Sequence, residues 1–440
     1  MKKFYIETYG CQMNVADTEI VVSVLKDQGL EHCRDISQAD LILVNTCSIR
    51  ENAEQRIWGR LDLFRKEKRR RPGTVVGVIG CMAERLKERL LETDKMVDLV
   101  VGPDAYRELP ALVTDALEGH KAVNVLLSRE ETYADIAPVR LDENGVSAFV
   151  SIMRGCNNMC SYCVVPYVRG AERSRDPDSI IRETEDLFAK GYREVTLLGQ
   201  NVDSYKWEAG DTIVDFSSLL ALTAELSPLL RVRFSTNHPK DMSDDVLSTM
   251  AKYPNICRHI HLPVQSGSSR ILKLMNRKYD RNWYMERIRA IRSIVPECAI
   301  STDIITGFCS ETEEDHKETL SLMEWAGFDF AYMFAYSERP GTGAARKLKD
   351  DIPEEIKKRR LSEVILLQNK ISASVKKQDI GMVFEVIVEG RSKKSDNDLF
   401  GRTSQNKVVV FPDEGQRNGD YVKVKIEKST SATLIGTMVK

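Results

Sequence analysis

The run Met153-Arg-Gly-Cys-Asn-Asn-Met-Cys-Ser-Tyr-Cys-Val-Val-Pro166 sets three cysteines, Cys156, Cys160 and Cys163, on one short loop. Thiols spaced this tightly can hold three irons of a cubane iron–sulfur cluster and leave the fourth iron without a protein ligand, open to chemistry. A structural zinc loop and three buried thiols are the competing readings. Zinc would lack its usual fourth ligand, because no histidine lies nearby.

Downstream of the loop the pattern is α/β. Strand candidates at Ala148–Met153, Glu194–Leu198, Val232–Ser235, His259–Leu262, Ile300–Ile305 and Phe330–Tyr336 are separated by helical periodicity. The segment Asp178–Lys190 is one such helix, with Pro177 in its first turn and Gly191 as its stop. Six βα units are too few for a closed eight-strand barrel and suit an open (β/α)6 one. An amphipathic helix from Pro353 to about Lys377 leads out of it.

Upstream, strands are expected at Lys3–Thr8, Asp40–Asn45, Thr74–Ile79 and Val97–Val101, alternating with helical patterns and closing near Gly119 as a parallel α/β sheet. Cys11, Cys47 and Cys81 each fall just beyond the carboxyl end of one of these strands, the edge where such sheets gather their sites. Gly10 and Gly80 precede two of them and permit close backbone approach. Three ordinary half-buried cysteines are the alternative. Residues 120–145, with Pro138 and an Asp-Glu-Asn-Gly turn at 142–145, read as linker. Beyond Met382, short β-branched runs mark a small all-β unit. Residues 376–440 hold 12 Lys+Arg against 9 Asp+Glu, a local +3 on a chain of net charge -2.

That near balance over 440 residues excludes a protein that coats nucleic acid by bulk charge, so any polyanion must meet local patches. The start reaches Glu7 before an apolar stretch can develop, and Val75–Ala83 is far too short to span a bilayer. A cytoplasmic protein with no membrane partner is expected. Ten cysteines then point to metal binding or catalysis before disulfides.

Along its whole length the chain resembles the radical S-adenosylmethionine methylthiotransferases. The resemblance rests on the Cys156/Cys160/Cys163 spacing together with Tyr9-Gly-Cys-Gln-Met-Asn14, Asn45-Thr-Cys-Ser-Ile-Arg50, Cys163-Val-Val-Pro-Tyr167 and Leu197-Leu-Gly-Gln-Asn-Val202. It implies a methylthiotransferase domain over 1–119 with an auxiliary 4Fe-4S cluster on Cys11, Cys47 and Cys81. A radical core over 146–375 would carry a second 4Fe-4S cluster on Cys156, Cys160 and Cys163, and an OB-like TRAM RNA-binding barrel would fill 376–440. S-adenosyl-L-methionine is the implied co-substrate, cleaved to a 5'-deoxyadenosyl radical. Tyr162 would lie against its adenine, and Gln200, Ser235, Gln265 and Asp303 would meet its methionine and ribose. The motifs look most like the branch that methylthiolates carbon-2 of N(6)-dimethylallyladenosine at position 37 of tRNA. Implied partners are the anticodon stem-loop and an electron donor such as flavodoxin or ferredoxin. A methylthiotransferase for a ribosomal-protein aspartate and a non-enzymatic iron–sulfur RNA-binding regulator stay as alternatives.

Three further features complete the reading. His238 and His261 flank the barrel rim and read as hydrogen-bonded structural groups. The cationic run Arg65–Arg71 reads as a solvated helix end, with tRNA phosphate contact as the alternative. In Ile305-Thr-Gly-Phe-Cys-Ser-Glu-Thr312, Cys309 and Ser310 stand where relatives usually carry Pro and Gly, which puts that loop's conformation in question.

Overall fold

The computed structural model describes residues 2–47, 51–87, 89–93, 96–141, 144–430 and 432–439, with side chains described outside 51–56, 92 and 93. Ser48, Ile49 and Arg50 of the second motif, and Asp142 and Glu143 of the expected turn, lie outside the described residues.

The first sheet contains β1 (Lys3–Thr8), β2 (Glu31–His32), β3 (Leu41–Thr46), β4 (Val75–Gly80), β5 (Leu99–Val101) and β6 (Ala122–Asn124). Their order is β2-β1-β3-β4-β5-β6, every neighbouring pair parallel. The uninterrupted apolar runs Leu41–Val44 and Val75–Ile79 make the central strands because both faces are covered by helices, one apolar cluster lying on each side. The chain winds to one side from β1 and then to the other from β3, so the crevice between their carboxyl ends is a topological switch point.

The sequence reading closes this unit near Gly119, but β6 pairs with β5 and carries the sheet to Asn124. Three residues are too few to show a strand period. The segment after it is no loose tether either. Tyr133 is buried and its hydroxyl donates to Pro103 O at 3.1 Å, while Ile136, Val139 and Leu141 pack on the first sheet. Arg140 is clamped between Glu19 and Glu183.

The central unit holds β7 (Ser147–Ser151), β8 (Met153–Arg154), β9 (Arg173–Ser174), β10 (Glu194–Leu198), β11 (Lys206–Ala209), β12 (Thr212–Asp215), β13 (Arg231–Ser235), β14 (His259–His261), β15 (Ala299–Thr306) and β16 (Phe330–Ala335). Strands β7-β10-β13 and β14-β15-β16 form two parallel three-stranded sheets, joined by a bridge from Val232 to Ile256 into an open arc of six. Helices pack on its outer face over one continuous core. The hairpin β11–β12 was not foreseen; its strands are only four residues each and largely exposed, too short to show a strand period.

After the helix Glu354–Gln378, strands β17 (Val383–Arg391), β18 (Asp398–Thr403), β19 (Val408–Pro412), β20 (Tyr421–Ser429) and β21 (Leu434–Met438) close into a five-stranded barrel. It is docked on the arc. Arg231 and Arg233 donate to Arg402 O and Thr403 O, each at 2.7 Å, and Arg258 N to Ser404 Oγ at 2.8 Å. No helix among the described residues is long and apolar enough to cross a membrane.

Candidate active site

The cysteine loop sits at the carboxyl end of the first arc strand and is tied down at many points. Gly155 has φ +78°, and a Cβ there would lie 1.9 Å from Ala171 O, so only glycine lets Cys156 start where it does. Cys156 N donates to Gly170 O at 3.1 Å, and Gly155 N to Gln200 Oε1 at 2.5 Å. Ser161 N and Oγ donate to Met275 O and Leu274 O, fixing the middle of the loop on the opposite rim.

Behind this loop lies a residue the sequence reading missed. The buried Arg277 donates to Cys160 Sγ and Tyr162 Oη, both at 3.3 Å, to Tyr279 Oη at 2.8 Å and to Pro263 O at 2.8 Å. Burial pushes the Cys156 and Cys163 thiols up to about 12. A cation beside such thiols favours their ionised, metal-binding form.

Cys11, Cys47 and Cys81 follow β1, β3 and β4, so the first two flank the switch point. Their neighbouring motif residues explain themselves in the structure. Asn14 Nδ2 donates to Asn45 Oδ1 at 3.0 Å, and Asn45 Nδ2 returns a bond to Asn14 O at 2.9 Å, locking the helix after Cys11 onto β3. A Cβ on Gly10 would stand 2.6 Å from Cys47 Cβ, and one on Gly80 2.4 Å from Asn45 Oδ1. The Cys11 thiol is drawn down to about 6 by its hydrogen bond with Cys47, with the Arg169 charge assisting, while burial pushes Cys81 up.

Arg169 belongs to the central unit, yet its Nε donates to Cys81 Sγ at 3.2 Å. Its Nη2 donates to Asp17 Oδ2 at 2.7 Å, and Arg154 Nη1 to Asp17 Oδ1 at 2.8 Å; Asp17 is 0% exposed. Arg173 extends the network to Asp104 at 3.0 Å. The two units are thus joined by a buried lattice of ions immediately behind the N-terminal cysteines. Nothing in the sequence separates these arginines from surface ones.

Among the described residues, no three His, Cys, Asp or Glu side chains gather around a single ion position. The donors present are two sets of three thiols, each backed by a buried guanidinium and each beside glycines whose missing Cβ leaves room for close approach. That donor chemistry suits an anionic iron–sulfur cluster.

One cavity of about 940 Å³ runs between these elements, with Cys11 and Gln12 on one wall, Tyr162 and Cys163 on another, and Ser235, Gln265 and Asp303 on the arc. Gln405, Asn406 and Leu434 of the barrel line it as well. Of the expected cofactor residues, Tyr162, Ser235, Gln265 and Asp303 therefore share one space, whereas Gln200 is turned to the cysteine-loop backbone. His261 also lines the cavity, 3.4 Å from Asp303 Oδ1 and sharing a 3.0 Å hydrogen bond with Ser301. His238 is buried; burial, with Arg277 and Lys240, lowers it to about 2. In the cationic run, Arg65, Lys68, Arg70 and Arg71 pair with Asp62, Asp98, Glu67 and Asp40.

Residues 150–323 match the Radical SAM superfamily, residues 377–439 the TRAM domain and residues 3–102 the uncharacterized protein family UPF0004. The chain also superimposes on solved radical S-adenosylmethionine enzymes. The S-adenosylmethionine methyltransferase TsrM of Kitasatospora setae aligns over 76% of this chain and 75% of its own with a TM-score of 0.58 at 16% identity, a likeness of fold. A radical S-adenosylmethionine enzyme is the class so defined, and that class uses S-adenosylmethionine with a 4Fe-4S cluster. A protein of Amoebophilus asiaticus named tRNA-2-methylthio-N(6)-dimethylallyladenosine synthase is 59% identical over 99% of this chain and 92% of its own length. One of the same name from Bacteroides fragilis is 58% identical over 100% and 96%. The chain belongs to the family of the tRNA-2-methylthio-N(6)-dimethylallyladenosine synthases.

Proposed function

We infer that this protein adds a methylthio group to carbon-2 of N(6)-dimethylallyladenosine beside the anticodon of tRNA, in the cytoplasm, with electrons from a flavodoxin- or ferredoxin-like donor. The observation that carries the reading is the single cavity reached by both Cys11 and Cys163, into which one base could be brought against both cysteine sets. Cys156, Cys160 and Cys163 would hold the 4Fe-4S cluster of the radical reaction, and Cys11, Cys47 and Cys81 a second one. When bound, the first cluster with S-adenosylmethionine supplies a hydrogen-abstracting radical and the second supplies sulfur.

The chain's own residues hold and enclose. Arg277 and Arg169 offset thiolate charge from behind each set, and Gln200 fixes the backbone that starts the cysteine loop. Tyr162, Ser235, Gln265 and Asp303 offer an aromatic face and polar groups to the cofactor. The arc and the barrel together wall the cavity in which the base would react. Nucleoside mass spectrometry of tRNA from cells with and without this protein tests the reading: the methylthio nucleoside should vanish in its absence. Unchanged tRNA, or a methylthiolated ribosomal protein, would overturn it.

A further inference from the structure

Strand β16 forms the open edge of the arc, and its register sets Phe330 beside Ser301, Tyr332 beside Asp303 and Phe334 beside Ile305. All six residues line the cavity that Cys11 and Cys163 also reach. Phe330, Tyr332 and Phe334 nevertheless remain 50%, 47% and 38% exposed, while Ala331 between them is buried. Aromatic rings normally dominate cores, so three in a row on an internal wall mark a surface built for an occupant. Edge-on contacts brace the row: Phe330 meets Tyr332 at 4.8 Å and 82°, and Tyr332 meets His261 at 5.8 Å and 83°.

We propose that Phe330, Tyr332 and Phe334 are the stacking platform on which unpaired bases of the tRNA loop lie, the target adenine among them. The proposal rests on the tRNA reading above. Length argues for bases and against the prenyl chain alone: four strand residues span about 13 Å, well beyond a five-carbon substituent. Bases present flat, uncharged faces, and stacking on aromatic side chains is how unpaired RNA is commonly held. The polar neighbours fit as well. His261 stands against Tyr332 to meet a base edge, and Arg339 and Lys376 line the same cavity where phosphates would enter. Gln405 and Asn406 of the barrel line the same cavity, so an RNA strand lying on the barrel would continue onto the row.

The test uses the reconstituted holoenzyme and an anticodon stem-loop carrying 2-aminopurine at the target position, or at the nucleotide on either side, in turn. Binding to the unaltered protein should quench fluorescence at one or more of these positions. Phe330→Leu, Tyr332→Leu and Phe334→Leu should each relieve the quench and weaken binding, roughly 5- to 150-fold per stacked base. Phe330→Tyr and Tyr332→Phe, which keep the ring, should retain both. Leucine variants that bind within twofold of the unaltered protein with the quench intact would overturn the platform. So would variants that lose affinity only for the prenylated stem-loop, since the row would then be a prenyl slot. If the unaltered enzyme does not methylthiolate the prenylated stem-loop, the functional reading fails; if it does and the leucine variants bind normally, the platform alone fails.

Discussion

The two cysteine sets are brought together by opposite routes. Cys156, Cys160 and Cys163 are held by one loop, and its spacing alone declares them. Cys11, Cys47 and Cys81 are brought to one edge only because β1, β3 and β4 run parallel and adjacent. Their supports differ too. Arg277 answers to carbonyl and phenol oxygens within its own unit, whereas Arg169 crosses from the central unit and is neutralised by Asp17 of the first. The N-terminal set is therefore supported across the interface, while the loop set takes its guanidinium from its own unit.

The sharpest way to break this comparison is to remove each set. Replacing Cys156, Cys160 and Cys163 by Ala should lower bound iron from about eight to about four and abolish conversion of S-adenosylmethionine to 5'-deoxyadenosine. Replacing Cys11, Cys47 and Cys81 by Ala should also leave about four irons, with cleavage retained and methylthio transfer lost. Iron analysis and product chromatography read both. If either triple variant loses all its iron, the sets are not independent.

A smaller effect should come from the ion lattice. Asp17→Ala leaves the guanidiniums of Arg154 and Arg169 buried without their shared carboxylate, and breaking such a pair costs about 3–5 kcal/mol. Chemical denaturation should show this loss, and iron on the N-terminal set should fall before iron on the loop set. Equal loss from both would mean that Arg169 does not serve Cys81 in particular.

Two buried carboxyls extend the contrast to pH. Although burial alone would raise Asp17, Arg154 and Arg169 outweigh it and hold the carboxyl below its usual range. Its stabilising contribution is present above the unfolded value near pH 4 and is lost as pH falls through the lower folded one. Asp203, in the turn after β10, is raised to about 8 by burial, with Asp241 adding to the shift. A carboxyl raised on folding favours the folded state at low pH, and that advantage drains away between about pH 4 and 8. Asp203→Asn should flatten the stability slope across that window in denaturation measured at stepped pH, whereas Asp17→Asn should leave that window unchanged and remove acid sensitivity below it. A slope unaltered in Asp203→Asn would place the titrating group elsewhere.

How much of this was legible beforehand follows from the range of each interaction. The arc strands, the helix after Asp176 and the β tail announce themselves in apolar period and turn residues, which are local. The N-terminal set was readable one step removed, through strand ends. Arg169, Arg277 and Asp17 were not readable, because a charged residue is written the same way whether it is solvated or paired in the interior. The exposed row on β16 stayed hidden for the reverse reason: Phe330-Ala-Tyr-Met-Phe-Ala335 reads as a buried strand, and only the open edge of the arc leaves its rings uncovered.

The smallest predicted effect concerns left-handed backbone, which the two sides of the molecule treat differently. Gly10 has φ +144° with Cys47 in the way of any Cβ, so Gly10→Ala should disrupt the N-terminal set. Ser310, where the family resemblance leads one to expect glycine, has φ +62° yet is exposed. Its loop is held from outside: Ser310 N donates to Asp351 Oδ1 at 2.7 Å, Arg270 donates to Ser310 O at 2.6 Å, and Arg360 secures Glu311 at 2.9 Å. A side chain in the left-handed region costs roughly 1–2 kcal/mol, which glycine relieves while adding backbone freedom to the unfolded chain worth roughly 0.5–1 kcal/mol. Ser310→Gly should therefore raise stability slightly, by about 0.5 kcal/mol, the 3.2 Å bond from Arg270 to Ser310 Oγ being exposed and weak. Thermal unfolding of the two proteins side by side reads the sign: a lower midpoint for Ser310→Gly would show that the anchors, and not the strain, decide this loop, and that its departure from the family pattern carries no cost.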